Sequence, residues 1–236
     1  MLAEKLYHGT FRERGQRIIF ANKMEISKGD NHWLGNGSYF FVEALYAYKW
    51  ILDMYLGRFL KHDGEFSDEN LIKNYMILKA NFHDQCRVFD LTSAEHKITF
   101  DQVYLQLNQK KEYSDKFREM EIADGVVINY MFDVMNYTNE FDIVRAIFIP
   151  NSNNYKNTQT RIGFMPQEQI CVKNSEMVKE IIEFNYSEQI AFYKDSIKKL
   201  SFSFYESKLS YIENKMKNKS NSYRARPKSS YKKSHK

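Results

Sequence analysis

The chain has 236 residues, 43% hydrophobic and 16% aromatic, with nine glycines and three prolines, so it can bury a core and most of it is expected in regular structure. No stretch approaches the ~18 uninterrupted apolar residues of a membrane span, and the charged start Met1-Leu2-Ala3-Glu4-Lys5 lacks a secretory apolar run, so the expectation is a cytoplasmic protein. The net charge of +5 is uneven: nine of the 35 Lys and Arg lie in residues 215–236, which hold no Asp or Glu, leaving 26 basic against 30 acidic residues in the body.

In chain order, "KLYHGT" predicts a short strand ending at Gly9. Residues 11–30 are charged and predict irregular structure, closing on the turn-like Lys28-Gly29-Asp30-Asn31. "GSYFFV" (37–42) predicts a second strand. From Glu43 to Leu60 the residues Leu45, Tyr48, Leu52, Tyr55, Leu56 and Phe59 fall on one helical face. "MILKANF" (76–82) and "RVFDLT" (87–92) predict strands separated by the polar "HDQC". A helical zone follows over roughly 94–135, broken near Ala123-Asp124-Gly125. "FDIVRAIFI" (141–149) predicts a strand ended by Pro150, and "QEQICVK" (167–173) another. "MVKEIIEF" (177–184) fits a strand or a helix, and Tyr186 to Met216 a polar helix. There is no internal repeat. Strands at both ends of a helical middle imply an α+β fold with non-local strand pairing rather than alternating βαβ units.

Cys86 and Cys171 stand far apart without CxxC spacing, which predicts reduced, buried thiols rather than a disulfide framework. The HxxC spacing of His83 and Cys86 has no second pair, so no metal is expected. His62-Asp63 before Gly64 fits an exposed turn.

Three predicted strands carry unusual polar residues beside apolar anchors: His8 in "YHGT", Tyr39 in "LGNGSYFF" and Glu168 in "PQEQICVK". Each alone fits a packed or surface residue. In this order they resemble the H-Y-E arrangement of the ADP-ribosyltransferase fold, shared by diphtheria-toxin-like and poly(ADP-ribose)-polymerase-like enzymes. There a first strand carries His-Gly, a second Gly-x-Tyr-Phe, and a late strand begins with the catalytic Glu followed by apolar residues. Here these are His8-Gly9, Gly37-Ser38-Tyr39-Phe40 and Glu168-Gln169-Ile170-Cys171-Val172. The resemblance covers residues 1–186 and implies a catalytic domain with a split antiparallel sheet, followed by a helical extension over 187–214 and a basic tail over 215–236.

The resemblance implies transfer of ADP-ribose from NAD, which breaks the nicotinamide–ribose bond through an oxocarbenium-like state. His8, Gly9 and Thr10 form the first-strand motif. His8 is implied to bond a hydroxyl of the adenosine-side ribose, and the backbone of Gly9 to approach the nicotinamide carboxamide. Tyr39, with Tyr46 or Tyr48, is implied to stack on the nicotinamide ring. Glu168 is implied to bond the nicotinamide ribose and stabilise the developing positive charge. The chain has no Gly-rich dinucleotide fingerprint, which agrees with a fold that binds NAD without a Rossmann unit.

Departures from the family's patterns narrow the activity. Arginine-directed toxins place Glu or Gln two residues before the catalytic Glu, where this chain has Pro166, with Gln167 one residue off that register. A register with Gln169 at the critical position leaves the site without its carboxylate. No regulatory helical region precedes the fold, as poly(ADP-ribose) polymerases often have, which favours a single transfer. RNA 2′-phosphotransferases share a His-Gly-Thr strand, but their second-strand histidine is replaced here by Tyr39, and His32 stands well upstream.

The tail has almost no apolar residues and is expected to be disordered when free. Its Lys215, Lys217, Lys219, Arg224, Arg226, Lys228, Lys232 and Lys233, interleaved with Tyr223 and Tyr231, suit a phosphate backbone with rings for base stacking. A solubilising terminus is the other reading of the same residues. The combined expectation is an intracellular toxin of toxin–antitoxin or anti-phage kind, with NAD as substrate, RNA or single-stranded DNA as acceptor and an antitoxin protein as partner. A protein acceptor, 2′-phosphotransfer and an inactive nucleic-acid-binding module of the same fold are the alternatives.

Overall fold

In a computed structural model, residues 5–29, 32–62, 67–119, 123–148 and 167–200 are described. The chain forms two compact units, residues 1–193 and 194–236. The first is α+β, built on a seven-stranded mixed sheet. Its strands are β1 (Lys5–Phe11), β2 (Ser38–Phe41), β3 (Tyr75–Phe82), β4 (Val88–Asp90), β5 (Ile143–Phe148), β6 (Gln167–Val172) and β7 (Val178–Phe184). Their order across the sheet is β4-β5-β6-β2-β1-β3-β7. All neighbours are antiparallel except β4 and β5. The helices are α1 (Arg12–Ala21), α2 (Ala44–His62), α3 (Asp68–Asn74), α4 (Ala94–Asn108), α5 (Lys111–Glu119), α6 (Asp124–Asp133) and α7 (Ile190–Leu200), the last crossing the boundary between the units.

The apolar stripe of α2 is buried as its periodicity requires: Leu45, Tyr48, Leu52, Tyr55 and Leu56 are all in the core. The helical zone after residue 94 resolves into α4, α5 and α6. Ser93 caps α4, its hydroxyl accepting from the His96 N–H. The break at Ala123-Asp124-Gly125 is where α6 begins. Of residues 177–184, ambiguous in sequence, Val178–Phe184 form β7, because Val178 and Ile181 are buried and the segment pairs with β3 from Ile77 to Phe82.

Residues 12–21 correct the expectation of an irregular segment. They form α1, which packs Ile18 into the core. Its polar sequence hides the pattern, and Gly15 reads as a breaker but lets the helix press on β3: a side chain there would collide with Met76 and crowd Thr10. Asn22 ends α1 in the left-handed region at φ 44°, its N–H bonding the Ile18 and Ile19 carbonyls. Helix α3, also unassigned by periodicity, is set by Ser67, whose hydroxyl accepts from Asn70 N at 3.1 Å, and by Asp68 and Glu69 in its first turn.

The sheet has two unlike faces. Leu6, Phe40, Leu78, Ile170 and Val172 gather on one face with Ile18 of α1. Val144, Ala146 and Cys171 gather on the other with residues of α4, α5 and α6. On that second face α2 crosses β1, β2 and β3. The join between β1 and β2 is slight, a single registered pair, Tyr7 with Phe41. By contrast β1 runs in register with β3 over seven residues and β2 with β6 over four.

Candidate functional site

The segments carrying His8, Tyr39 and Glu168 lie far apart in sequence and side by side in the sheet, as β1, β2 and β6. His8 lies at the slight β1–β2 join, half-buried against the Phe40 ring. Its Nδ1 is 2.6 Å from the Tyr39 carbonyl oxygen. A carbonyl only accepts, so Nδ1 carries the proton. Burial pushes the ring's pKa down to about 4, against the weaker pull of the Tyr39 bond, so the imidazole is neutral near pH 7. Its Nε2 is therefore an acceptor.

Gly9 faces α2. A Cβ there would stand 2.6 Å from the Ala47 carbonyl oxygen and 2.8 Å from Ile51 Cγ2. The missing side chain thus lets α2 cross β1 closely. Thr10 is buried beside α1.

Tyr39 leaves the opposite face from His8 and packs against the α4–α6 cluster. Its hydroxyl donates to the Gly35 carbonyl at 2.6 Å and accepts from Leu34 N–H at 2.9 Å. Burial, reinforced by neighbouring Cys171, raises its pKa well above the ordinary phenol value. Lys173, the residue after β6, donates to the Leu34 and Asn36 carbonyls at 2.6 Å each, so the loop that receives Tyr39 is held from there as well. Burial lowers the Lys173 pKa and raises that of Cys171.

Tyr46 is buried near Phe41, with ring centroids 6.4 Å apart. Tyr48 is fully buried against Tyr186 and Tyr193, and its hydroxyl has no hydrogen-bond partner among the described residues. Its ring is core and faces no space for a nicotinamide.

Glu168 stands second in β6. Two residues on, Ile170 belongs to the core of His8's face, so alternation puts Glu168 on that face too. Tyr39 is opposite Cys171, and its face carries Gln167 and Gln169. The structure therefore groups His8 with Glu168 on one face, and Gly9 with Tyr39 on the other.

Glu168 is not isolated. Arg145 Nε donates to its Oε1 at 2.6 Å, and Arg145 Nη1 donates to Asp90 Oδ2 at 3.0 Å. All three side chains of this triad are about a quarter exposed. Burial opposes the charge on Asp90, but Thr92 and Arg145 outweigh it and hold its carboxyl below the ordinary value. Arg145 is likewise held above its usual value by Glu168 and Asp90 against the cost of burial. Two carboxylates share one guanidinium, so the triad keeps a net charge of −1. Neither Asp90 nor Arg145 was singled out from sequence, although an arginine inside the apolar run "FDIVRAIFI" was a legible sign that a carboxylate would meet it. The basic tail residues, from Lys215 to Lys233, lie outside the described residues.

Among the described residues no helix is long and apolar enough to cross a membrane. Fold and site together define an α+β protein whose mixed sheet is slightly joined between β1 and β2 and carries a carboxylate–guanidinium–carboxylate triad across β4, β5 and β6. The chain is 40% identical over 191 residues to the uncharacterized protein MJ0359 of Methanocaldococcus jannaschii, covering 75% of this chain and 85% of that one, and it belongs to the same family. No family model matches the chain. No solved structure matches it.

Proposed function

We infer that the chain is an NAD-dependent mono-ADP-ribosyltransferase, an intracellular toxin whose acceptor is RNA or single-stranded DNA. The observation that carries the reading is the adjacency of β1, β2 and β6 at the weakest join of the sheet. The sequence motif required these three strands to meet, and no local propensity brings residues 8, 39 and 168 together. In this reading the neutral His8 offers Nε2 to a ribose hydroxyl, a binding role suited to a ring that resists protonation. Glu168, whose triad with Arg145 and Asp90 carries one more carboxylate than guanidinium, supplies the negative charge that an oxocarbenium-like state needs. As nicotinamide leaves with the electrons of its bond to the ribose, the acceptor's lone pair closes on the same carbon and the acceptor's proton is released.

A second reading has its own observation. Tyr39's face carries Gln167 and Gln169, and the Glu168 carboxylate is already engaged by Arg145. That arrangement suits a binding module of the same fold without transfer. Incubation with labelled NAD and separate pools of RNA, single-stranded DNA and protein separates the two. The transferase reading expects label in a nucleic-acid pool and a loss of roughly a hundredfold or more in rate for Glu168→Gln. Label in the protein pool moves the acceptor to protein. NAD left intact in every pool sinks the transferase in favour of the module.

A further inference from the structure

A cavity of about 610 Å³ lies against the second face of the sheet, between the end of β5 and the helices α4 and α6. Its volume falls within the range of small-ligand sites. Its lining includes three rings, Phe100 and Tyr104 from α4 and Phe148 from β5, among aliphatic residues such as Leu34 and Leu91; outside the lining, the Trp33 ring stands 4.8 Å from that of Phe148. Three charged side chains converge on this apolar surface. Lys97 and Asp101, one turn apart on α4, form an ion pair. The carboxylate of Asp124, at the start of α6, makes no hydrogen bond or ion pair with any described residue. Burial raises the Asp124 pKa, with Asp101 adding to the effect and Lys97 opposing it. A half-buried carboxylate without a donor is costly unless a ligand supplies one. A first-turn position on α6 accounts for a negative charge there, but not for its facing a cavity lined by rings.

The chemistry of the lining discriminates among planar ligands. A carboxylate accepts two parallel hydrogen bonds, so it matches two adjacent N–H donors on one ring edge. Among the four common nucleobases only guanine presents that edge, through N1–H and the exocyclic amino group, when it is unpaired. Adenine and cytosine place an acceptor beside their amino group, and uracil flanks its single N–H with two carbonyls; both arrangements turn a lone pair toward Asp124. Guanine also carries O6 and N7 acceptors, which suit the ammonium of Lys97. The rings of the lining supply the stacking surface for an unstacked base.

We propose that this cavity binds an unpaired guanine base, with Asp124 reading the donor edge and Lys97 the acceptor edge. The site stands apart from the NAD chemistry inferred above and is tested without NAD. It is nevertheless linked to the triad, because Thr92 of its rim donates through Oγ1 to Asp90 at 2.6 Å, and Asp90 accepts from Arg145, which holds Glu168.

The experiment is a binding titration of the full chain with GMP, AMP, CMP and UMP, and with an oligouridine carrying one central guanosine or none. GMP is expected to bind at least about tenfold tighter than the other mononucleotides, the discrimination of one good bidentate contact. Asp124→Asn, and independently the surface variant Lys97→Ala, are expected to erase most of that preference. A guanosine oligomer that binds tighter than GMP identifies a nucleic-acid strand as the source of the base, and equal affinities identify a free nucleotide. Equal binding of all four mononucleotides, no binding of GMP or the guanosine oligomer, or a preference that survives both substitutions overturns the proposal. Retained guanine preference with no turnover of NAD refutes the transferase while leaving this site in place.

Discussion

His8 shows how burial sets both a chemical role and the sign of a pH effect. In the unfolded chain its imidazole takes a proton near pH 6.5, whereas in the folded protein burial defers this to about 4. The contribution is therefore fully present above about 6.5 and is lost as pH falls toward 4, a gap worth up to roughly 3 kcal/mol. Urea unfolding of the native chain is expected to show that loss between pH 6.5 and 4, and His8→Gln to lack it. An identical pH profile for the two proteins counts against the buried, neutral ring. Gly9 gives a companion test. Because Ala47 and Ile51 occupy the space above it, Gly9→Ala is expected to destabilise the fold by about 1–3 kcal/mol, read as a lower denaturation midpoint without ligand. Unchanged stability would free Gly9 for a role in ligand approach alone. The motif "YHGT" was legible in the sequence as an unusual group of residues. That its glycine meets a helix was not, because α2 begins more than thirty residues later.

At the scale of elements, the beginnings of β4 and β5 and the end of β6 are tied by one carboxylate. Asp142 is almost fully buried and accepts from Arg87 Nε at 2.9 Å, Arg87 Nη2 at 3.0 Å, Arg87 N at 3.1 Å and Asn174 Nδ2 at 3.0 Å. The Arg87 bonds hold its pKa down to about 2 despite burial. The stabilisation is present above the unfolded carboxylate value, and it is lost as pH falls through about 2. Asp142→Asn is expected to cost about 2 kcal/mol at pH 7, with the difference from the native chain shrinking to roughly half by pH 3. Equal stability of the two proteins at pH 7 would remove Asp142 from this role. Element identity was largely legible where one periodicity dominated, as in α2 or β3. It failed for α1, whose Arg12, Glu13, Arg14, Gln16 and Arg17 conceal a helix anchored by few apolar side chains. It stayed ambiguous for β7, because an apolar pattern of Val178, Ile181 and Ile182 satisfies either period until β3 supplies a partner.

Across the first unit, the sheet divides its work between two faces. The core of His8's face runs continuously from β1 and β3 to β5 and β6. On the other face α2 covers β1 to β3, while α4 and α6 cover β5 and β6. The coverings change between β6 and β2, one strand away from the single registered pair between β1 and β2. Close approach maintains the second covering: Gly125 of α6 lies so near the His32 carbonyl that any side chain would collide with it, and Asn129 Oδ1 accepts from Asn36 N at 2.6 Å. The loop before β2 is thereby locked onto α6, and Tyr39 onto the loop.

The sequence by itself determined an α+β chain, many of its strands and helices, and three polar residues, His8, Tyr39 and Glu168, set among apolar neighbours, because periodicity and residue type are local properties. Only the tertiary structure decided which strands are neighbours, which face each side chain leaves and which charges meet. Side chains alternate along a strand, so the register of β5 on β6 placed Glu168 beside Arg145, and the register of β2 on β6 set Tyr39 opposite Cys171, on the other face. Pairing register is a long-range property that local sequence does not encode, and on it depends what Glu168 can do.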